Sequence, residues 1–138
     1  MQWNDNTNAG FTTGSPHISI SENYKEINAE NALKDENSIF YHYKKLIQLR
    51  KEYDVIAYGD FKIILKDDSQ IFAYIRSWKD EKLLVINNFY GKEAMFNLPG
   101  DLLIKGQSTI LISNYKDTVN NIEKLTLRPY ESIVFYIK

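Results

Sequence analysis

Paired carboxylates are the groups here best suited to chemistry. Two Asp or Glu side chains about 5–10 Å apart can hydrolyse a glycosidic bond. Asp67, Asp68, Asp80, Glu81 and Asp101 all lie in stretches that read as turns, where solvated charge is the simpler reading. Glu131 is different. It stands between Pro129 and the last strand-like run, in "RPYES", and is read as structural, its oxygens free to accept backbone N–H groups where the strand starts. His17 and His42 are the only histidines and lack the spacing of a metal pair. With no cysteine in the chain, thiolate ligands, disulfides and cysteine nucleophiles are excluded, and no metal site is expected. No G-x-S-x-G elbow, phosphate loop or dinucleotide fingerprint occurs. Gly10 and Gly14 flank "FTT", but no strand precedes them, so a phosphate cradle is not expected.

Aromatic rings offer a second kind of chemistry, the stacking of sugars. Of ten Tyr, seven Phe and two Trp, three catch the eye: Trp78 lies beside a turn, and Tyr90 and Tyr115 end strand-like runs. Packing competes with this reading, because aromatics are favoured in strands for packing alone.

The elements that would position these groups fall into three textures. Residues 1–36 are polar and aperiodic, a long loop with one helical turn expected over Asn28–Lys34, Asn28 capping it. Residues 37–53, "NSIFYHYKKLIQLRKEY", form the clearest helix. Ile39, Phe40, Tyr43, Leu46, Ile47 and Tyr53 recur at helical period on one face. Arg50 interrupts that face. Its guanidinium stays charged, so burial there needs a carboxylate or carbonyl partner; it either snorkels outward or ties the helix to another element. Residues 57–138 read as seven or eight short strands rich in β-branched and aromatic residues, separated by turns and by no helix. The fold class expected is therefore mainly β, one long helix with a preceding loop packed on an antiparallel β-sandwich.

Whole-chain properties narrow the rest. The 138 residues suit one domain with an appendage, and 43% hydrophobic content supplies one core. A net charge of −1 makes no case for nucleic acid or an anionic membrane as partner. No apolar run approaches the roughly 20 residues of a membrane span. The polar start has no secretory pattern, and with no cysteine a cytoplasmic location is expected.

Read in order, "MQWNDNTNAGFTTGSP", "NYKEIN", "NSIFYHYKKLIQLRK", "KLLVINNF" and "LTLRPYESIVF" resemble the C-terminal end of α-glucosidases of the α-amylase superfamily, glycoside hydrolase family thirteen. The likeness is greatest to oligo-1,6-glucosidases, with trehalose-6-phosphate hydrolases and dextran glucosidases nearby. It runs from Met1 to Lys138. The blocks around "MQW" and "IFYHYKKLIQLRK" are the more specific ones. His17 departs from a tryptophan common after the family's proline, and Glu22 from a proline common before "NY".

The resemblance implies that residues 1–53 are the end of a catalytic TIM barrel, its last βα loop and last helix, and that 54–138 are the C-terminal antiparallel sandwich. It places the nucleophilic aspartate, the acid/base glutamate and a second aspartate upstream of this segment. No residue of the 138 is then catalytic, no cofactor is implied, and the chain is expected to be a fragment. Gln2 and Trp3 would lie near substrate on the barrel's active face, either packing the loop or touching sugar; Arg50 and Glu131 would be structural. The partner implied is the missing barrel, with oligosaccharide reached only through it. An isolated copy is expected to self-associate, or to pack residues 1–36 differently.

Overall fold

The computed structural model describes residues 1–102, 104 and 106–138. They form two compact units, Met1–Gln48 and Leu49–Lys138.

The second unit holds the sandwich. Its strands are β1 (Asp60–Ile64), β2 (Ile71–Trp78), β3 (Glu81–Asn88), β4 (Ala94–Asn97), β5 (Ser108–Ser113), β6 (Lys124–Leu127) and β7 (Ser132–Ile137). Five make a sheet of order β1-β2-β3-β7-β5, and β4 pairs with β6 in a second sheet. Every pairing is antiparallel. Tight turns set the register. Trp78 pairs with Glu81, so Lys79–Asp80 is a two-residue connection, with Lys79 at φ 55°. Positive φ is what such a hairpin needs for its turn to follow the twist of the strands.

Alternation along these strands builds the core. In β4 and β6, Ala94, Phe96, Leu125 and Leu127 point inward while Met95 and Thr126 point out. They meet Ile71, Ala73, Ile75, Leu84, Ile86, Ile133, Phe135 and Ile137 from the larger sheet. Each such side chain contributes roughly 1.5–3 kcal/mol by leaving water.

A short helix, α3 (Asp54–Tyr58), precedes β1. This corrects the sequence reading, which began the strand region at residue 57: Ala57 and Tyr58 are helical. The helix ends at Gly59, whose N–H makes its last bond to the Val55 carbonyl and whose backbone then turns extended at ψ 147°, where a side chain would collide with that same oxygen. Val55 is wholly buried, which anchors the turn. Helix α3 packs on β2 and β3. Tyr53 stacks edge-on against Tyr136, centroids 4.9 Å apart. Burial and a 2.6 Å hydrogen bond from its hydroxyl to Glu81 push Tyr136 up to about 12.

The first unit contains α1 (Ala29–Lys34) and the start of α2 (Ile39–Glu52). Asn28 caps α1, its side-chain oxygen accepting the Asn31 N–H at 2.8 Å. The Ala29 and Glu30 N–H groups bond the Gln2 and Trp3 carbonyls, both at 2.9 Å. The amides that a helix start leaves without partners are thus satisfied by the chain's opening residues. Among the described residues 1–48, only Ala9 and Asn28 are buried.

Candidate functional site

The opening loop is held by polar contacts. The Trp3 and Asn4 N–H groups both donate to the Ala9 carbonyl. Asn8, Ala9 and Gly10 take three successive positive φ angles, 57°, 54° and 67°, which turns the chain sharply. Gln2 reaches across the loop, its Nε2 donating to Ile27 O at 2.8 Å and Asn23 Oδ1 at 3.1 Å. Its side chain is therefore spent on the loop's own closure. Trp3, half exposed, has no such tie and stands on the wall of a groove of about 980 Å³.

That groove is a broad, apolar concavity of the first unit. Trp3, Ile27, Leu33, Ile39, Phe40 and Tyr43 line it and all are exposed. Ile39 is 77% exposed and Ile47, further along α2, 55%. The apolar helix face read from the sequence is therefore exposed from Ile39 to Ile47, while Tyr53 at its end packs on Tyr136. The residue that α2 buries is Leu49, on the far side of the second unit's boundary. Arg50 beside it is exposed, and the tie to another element expected of it has no ion-pair partner among the described residues. A smaller cleft of about 430 Å³ lies along Gln2, Phe11, Pro16, His17 and Ile20.

Glu131 lies in the second unit with its side chain 3% exposed. One carboxylate oxygen accepts the Arg128 backbone N–H (2.8 Å) and Nε (3.1 Å); the other accepts Arg128 Nη2 (2.8 Å) and the Thr118 hydroxyl (2.9 Å). Burial alone would raise its pKa. The Arg128 guanidinium and N–H, with the Thr118 hydroxyl, outweigh burial and hold it below the usual carboxylate value. Asp117 takes the opposite edge of the same guanidinium at 2.6 Å, and that bond lowers its pKa too. These two carboxylates do converge, but on Arg128, which bonds both. The turn residues Asp68 and Glu81 are likewise occupied, Asp68 by the Gln70 and Ile71 N–H groups and Glu81 by Tyr136.

The candidate sugar-stacking rings are also engaged. Trp78 packs on Tyr58 at 5.6 Å, and Tyr115 lies 3.8 Å beneath the Arg128 guanidinium. Tyr90 alone of the three is largely exposed. Sequence reasoning missed Asn88, which is buried and bonds Lys92 O, Arg128 O and the Tyr90 N–H, tying the end of β3 to two loops. It also missed an exposed aromatic row on β1 and β2. The signal was there: "QIFAYI" is apolar on both alternations, and a strand apolar on both sides needs cover on both.

Comparison with known proteins yields two family matches, the first of which runs past the first unit to include α3. Residues 1–59 match the family described as "Alpha amylase, catalytic domain", and residues 71–134 match "Alpha-amylase SusG C-terminal domain". The trehalose-6-phosphate hydrolase of Bacillus subtilis is 54% identical over 136 residues, which is 98% of this chain and 24% of that protein. An oligo-1,6-glucosidase of Bacillus cereus is 49% identical over 138 residues, all of this chain and 25% of that protein. The crystal structure of Bacillus licheniformis trehalose-6-phosphate hydrolase superimposes with a TM-score of 0.95 at 56% identity, covering 99% of this chain and 25% of that one. The chain thus spans about a quarter of the length of the relatives it matches, and the sandwich is their C-terminal β domain. This chain belongs to the α-amylase superfamily, as a segment equivalent to the C-terminal quarter of its oligo-1,6-glucosidases and trehalose-6-phosphate hydrolases.

Proposed function

We propose that this segment is the non-catalytic tail of a retaining α-glucosidase that cleaves α-1,6 bonds of short oligosaccharides. Residues 1–53 would end the catalytic barrel and 54–138 would form the sandwich domain beside it. The observation that carries this reading is the bare groove of the first unit, where Trp3, Ile39, Phe40 and Tyr43 lie together and all are exposed. Burying each such side chain is worth roughly 1.5–3 kcal/mol, and the catalytic domain to which residues 1–59 are similar is the natural cover. Catalysis belongs to the rest of that domain: an aspartate attacks the anomeric carbon, a glutamate protonates the leaving oxygen, and water then releases the sugar. This chain contributes position. Gln2 closes the loop, Trp3 is left facing out beside it, and the helix seals the barrel wall.

Trehalose 6-phosphate is the second candidate substrate, favoured by the higher identity to the Bacillus subtilis hydrolase, 54% against 49% for the Bacillus cereus glucosidase. The absence of cysteine fits a cytoplasmic parent. Alone, the 138 residues release no glucose from isomaltose or trehalose 6-phosphate and self-associate through the groove. Grafted onto the Bacillus subtilis hydrolase in place of its matching segment, they support turnover, and comparing the two substrates decides between the readings. Glucose release by the free chain would overturn the proposal.

A further inference from the structure

The tyrosines of the second unit differ in how fully their rings are used. Tyr53 and Tyr136 pack on each other, and Tyr115 lies against the Arg128 guanidinium with its hydroxyl donating to the Pro129 carbonyl at 3.0 Å. Tyr90 and Tyr130 stand apart. They are 53% and 64% exposed, and among the described residues neither ring stacks on another and neither hydroxyl makes a hydrogen bond. Yet the two are joined through the backbone, the Tyr130 N–H donating to the Tyr90 carbonyl at 3.0 Å. Gly91 makes room for this. A Cβ there would stand 3.2 Å from the Tyr130 hydroxyl and 3.5 Å from its ring.

Two observations set this pair apart from ordinary surface. The first is strain. Tyr130 sits at φ 56°, a left-handed conformation that a bulky side chain seldom adopts. Its neighbours hold it there: the Tyr130 carbonyl accepts Asn114 Nδ2 at 2.8 Å, and Glu131, the next residue, is anchored on Arg128 and Thr118. Glycine would take this conformation freely. Strain of this kind persists only where the surroundings impose it, and it collects where ligands are held. The second is electrostatics. Arg128 is spent on Glu131 and Asp117, and Lys92, beyond Gly91, is followed by Glu93 of opposite sign, so nothing here singles out a charged ligand. What remains is two rings with unpaired hydroxyls at their tips. A purely apolar partner would cover the rings and leave the hydroxyls without partners. A pyranose offers C–H faces to the rings and hydroxyls to the tips.

We infer that Tyr90 and Tyr130 form a surface site of the sandwich for a neutral gluco-oligosaccharide. Only the choice of sugar rests on reading the chain as the tail of an α-glucosidase. Saturation-transfer NMR of isomaltotriose with the 138-residue chain tests the site. The sugar protons should gain a signal that saturates at millimolar sugar. Tyr90→Ala should weaken binding about tenfold, the equivalent of one lost ring contact. Tyr130→Gly is the sharper variant. Glycine accepts φ 56°, so the urea midpoint should hold while the sugar signal is lost, a split that a merely structural tyrosine would not produce. Met95→Ser, exposed on the second sheet, should alter neither reading. Absence of transfer to isomaltotriose overturns the site, and so does transfer that survives Tyr130→Gly. Transfer lost in Trp3→Ser would put the sugar in the first unit and equally overturn it. A Tyr130→Gly chain that sediments as a smaller species, with transfer unchanged, would assign the pair to a second copy and overturn it too. Should Tyr130→Gly fail to fold, Tyr90→Ala is read with the same two outcomes, weakened transfer or none of the site. Turnover by the graft on the Bacillus subtilis hydrolase reports the tail reading alone, so either inference can fail without the other.

Discussion

The two units hold similar kinds of side chain and use them in opposite ways. In Leu49–Lys138, two sheets close on Phe96 and Phe135, both fully shielded from water, and on their buried neighbours. In Met1–Gln48, Trp3, Phe11, Ile39 and Phe40 stay exposed, and order comes from hydrogen bonds of Gln2, Asn8, Asn28 and Asn31. Apolar content does not by itself make a core. A second layer must face the first, and the N-terminal unit has only one. A unit held by polar contacts keeps its shape yet retains apolar surface for something else to cover.

The hardest test of this contrast is Phe96→Ala. Emptying the space between the sheets should cost about 3–5 kcal/mol, read as a lower urea midpoint. A smaller loss would mean that the sandwich is not what stabilises the second unit. Glu131→Gln comes next. It removes the charge from a shielded carboxylate bound four ways, and should cost about 1.5–3 kcal/mol by the same measurement. Acidity offers a related test. Glu131 has a depressed pKa when folded, so its stabilisation is complete above the ordinary value near 4.3 and drains away as pH falls below that. Stability of the Glu131→Gln variant should therefore be flatter below about pH 4 than that of the parent chain. In the first unit, Asn28→Ala should cost about 1–2 kcal/mol through the lost cap. It should appear as faster hydrogen exchange in α1, with the sandwich's unfolding midpoint unchanged. The smallest effect is the most telling. Ile39→Ser should stay within about 0.5 kcal/mol in the free chain at dilutions where it is monomeric, because its side chain touches water there. If it destabilised the free chain strongly, the groove would be a core after all.

Much of this was legible in the residues. The seven strand runs, the Asn28 cap and the apolar stripe on α2 each depend on neighbours within a few positions, so spacing and turn chemistry reveal them. Helix α3 was lost because Gly59 acts through a close approach to Val55, which no periodicity shows. For Arg50 the sequence left two readings open, snorkelling outward or tying the helix to another element, because a helical wheel gives a residue's angle and not its cover; the side chain is exposed. Leu49, one position earlier, is the side chain that goes inside.

What the sequence by itself determined is the set of elements, because alternation, caps and turns are local, and the absence of cysteine, which excludes thiolate chemistry. Only the tertiary structure decided which carboxylates meet and which rings stay bare. Asp117 and Glu131 are joined through Arg128 by a loop closing onto a turn, and Phe61 meets Tyr74 by strand register. Those pairings span tens of residues or depend on a one-residue register, and a slip of one would send every ring to the opposite face.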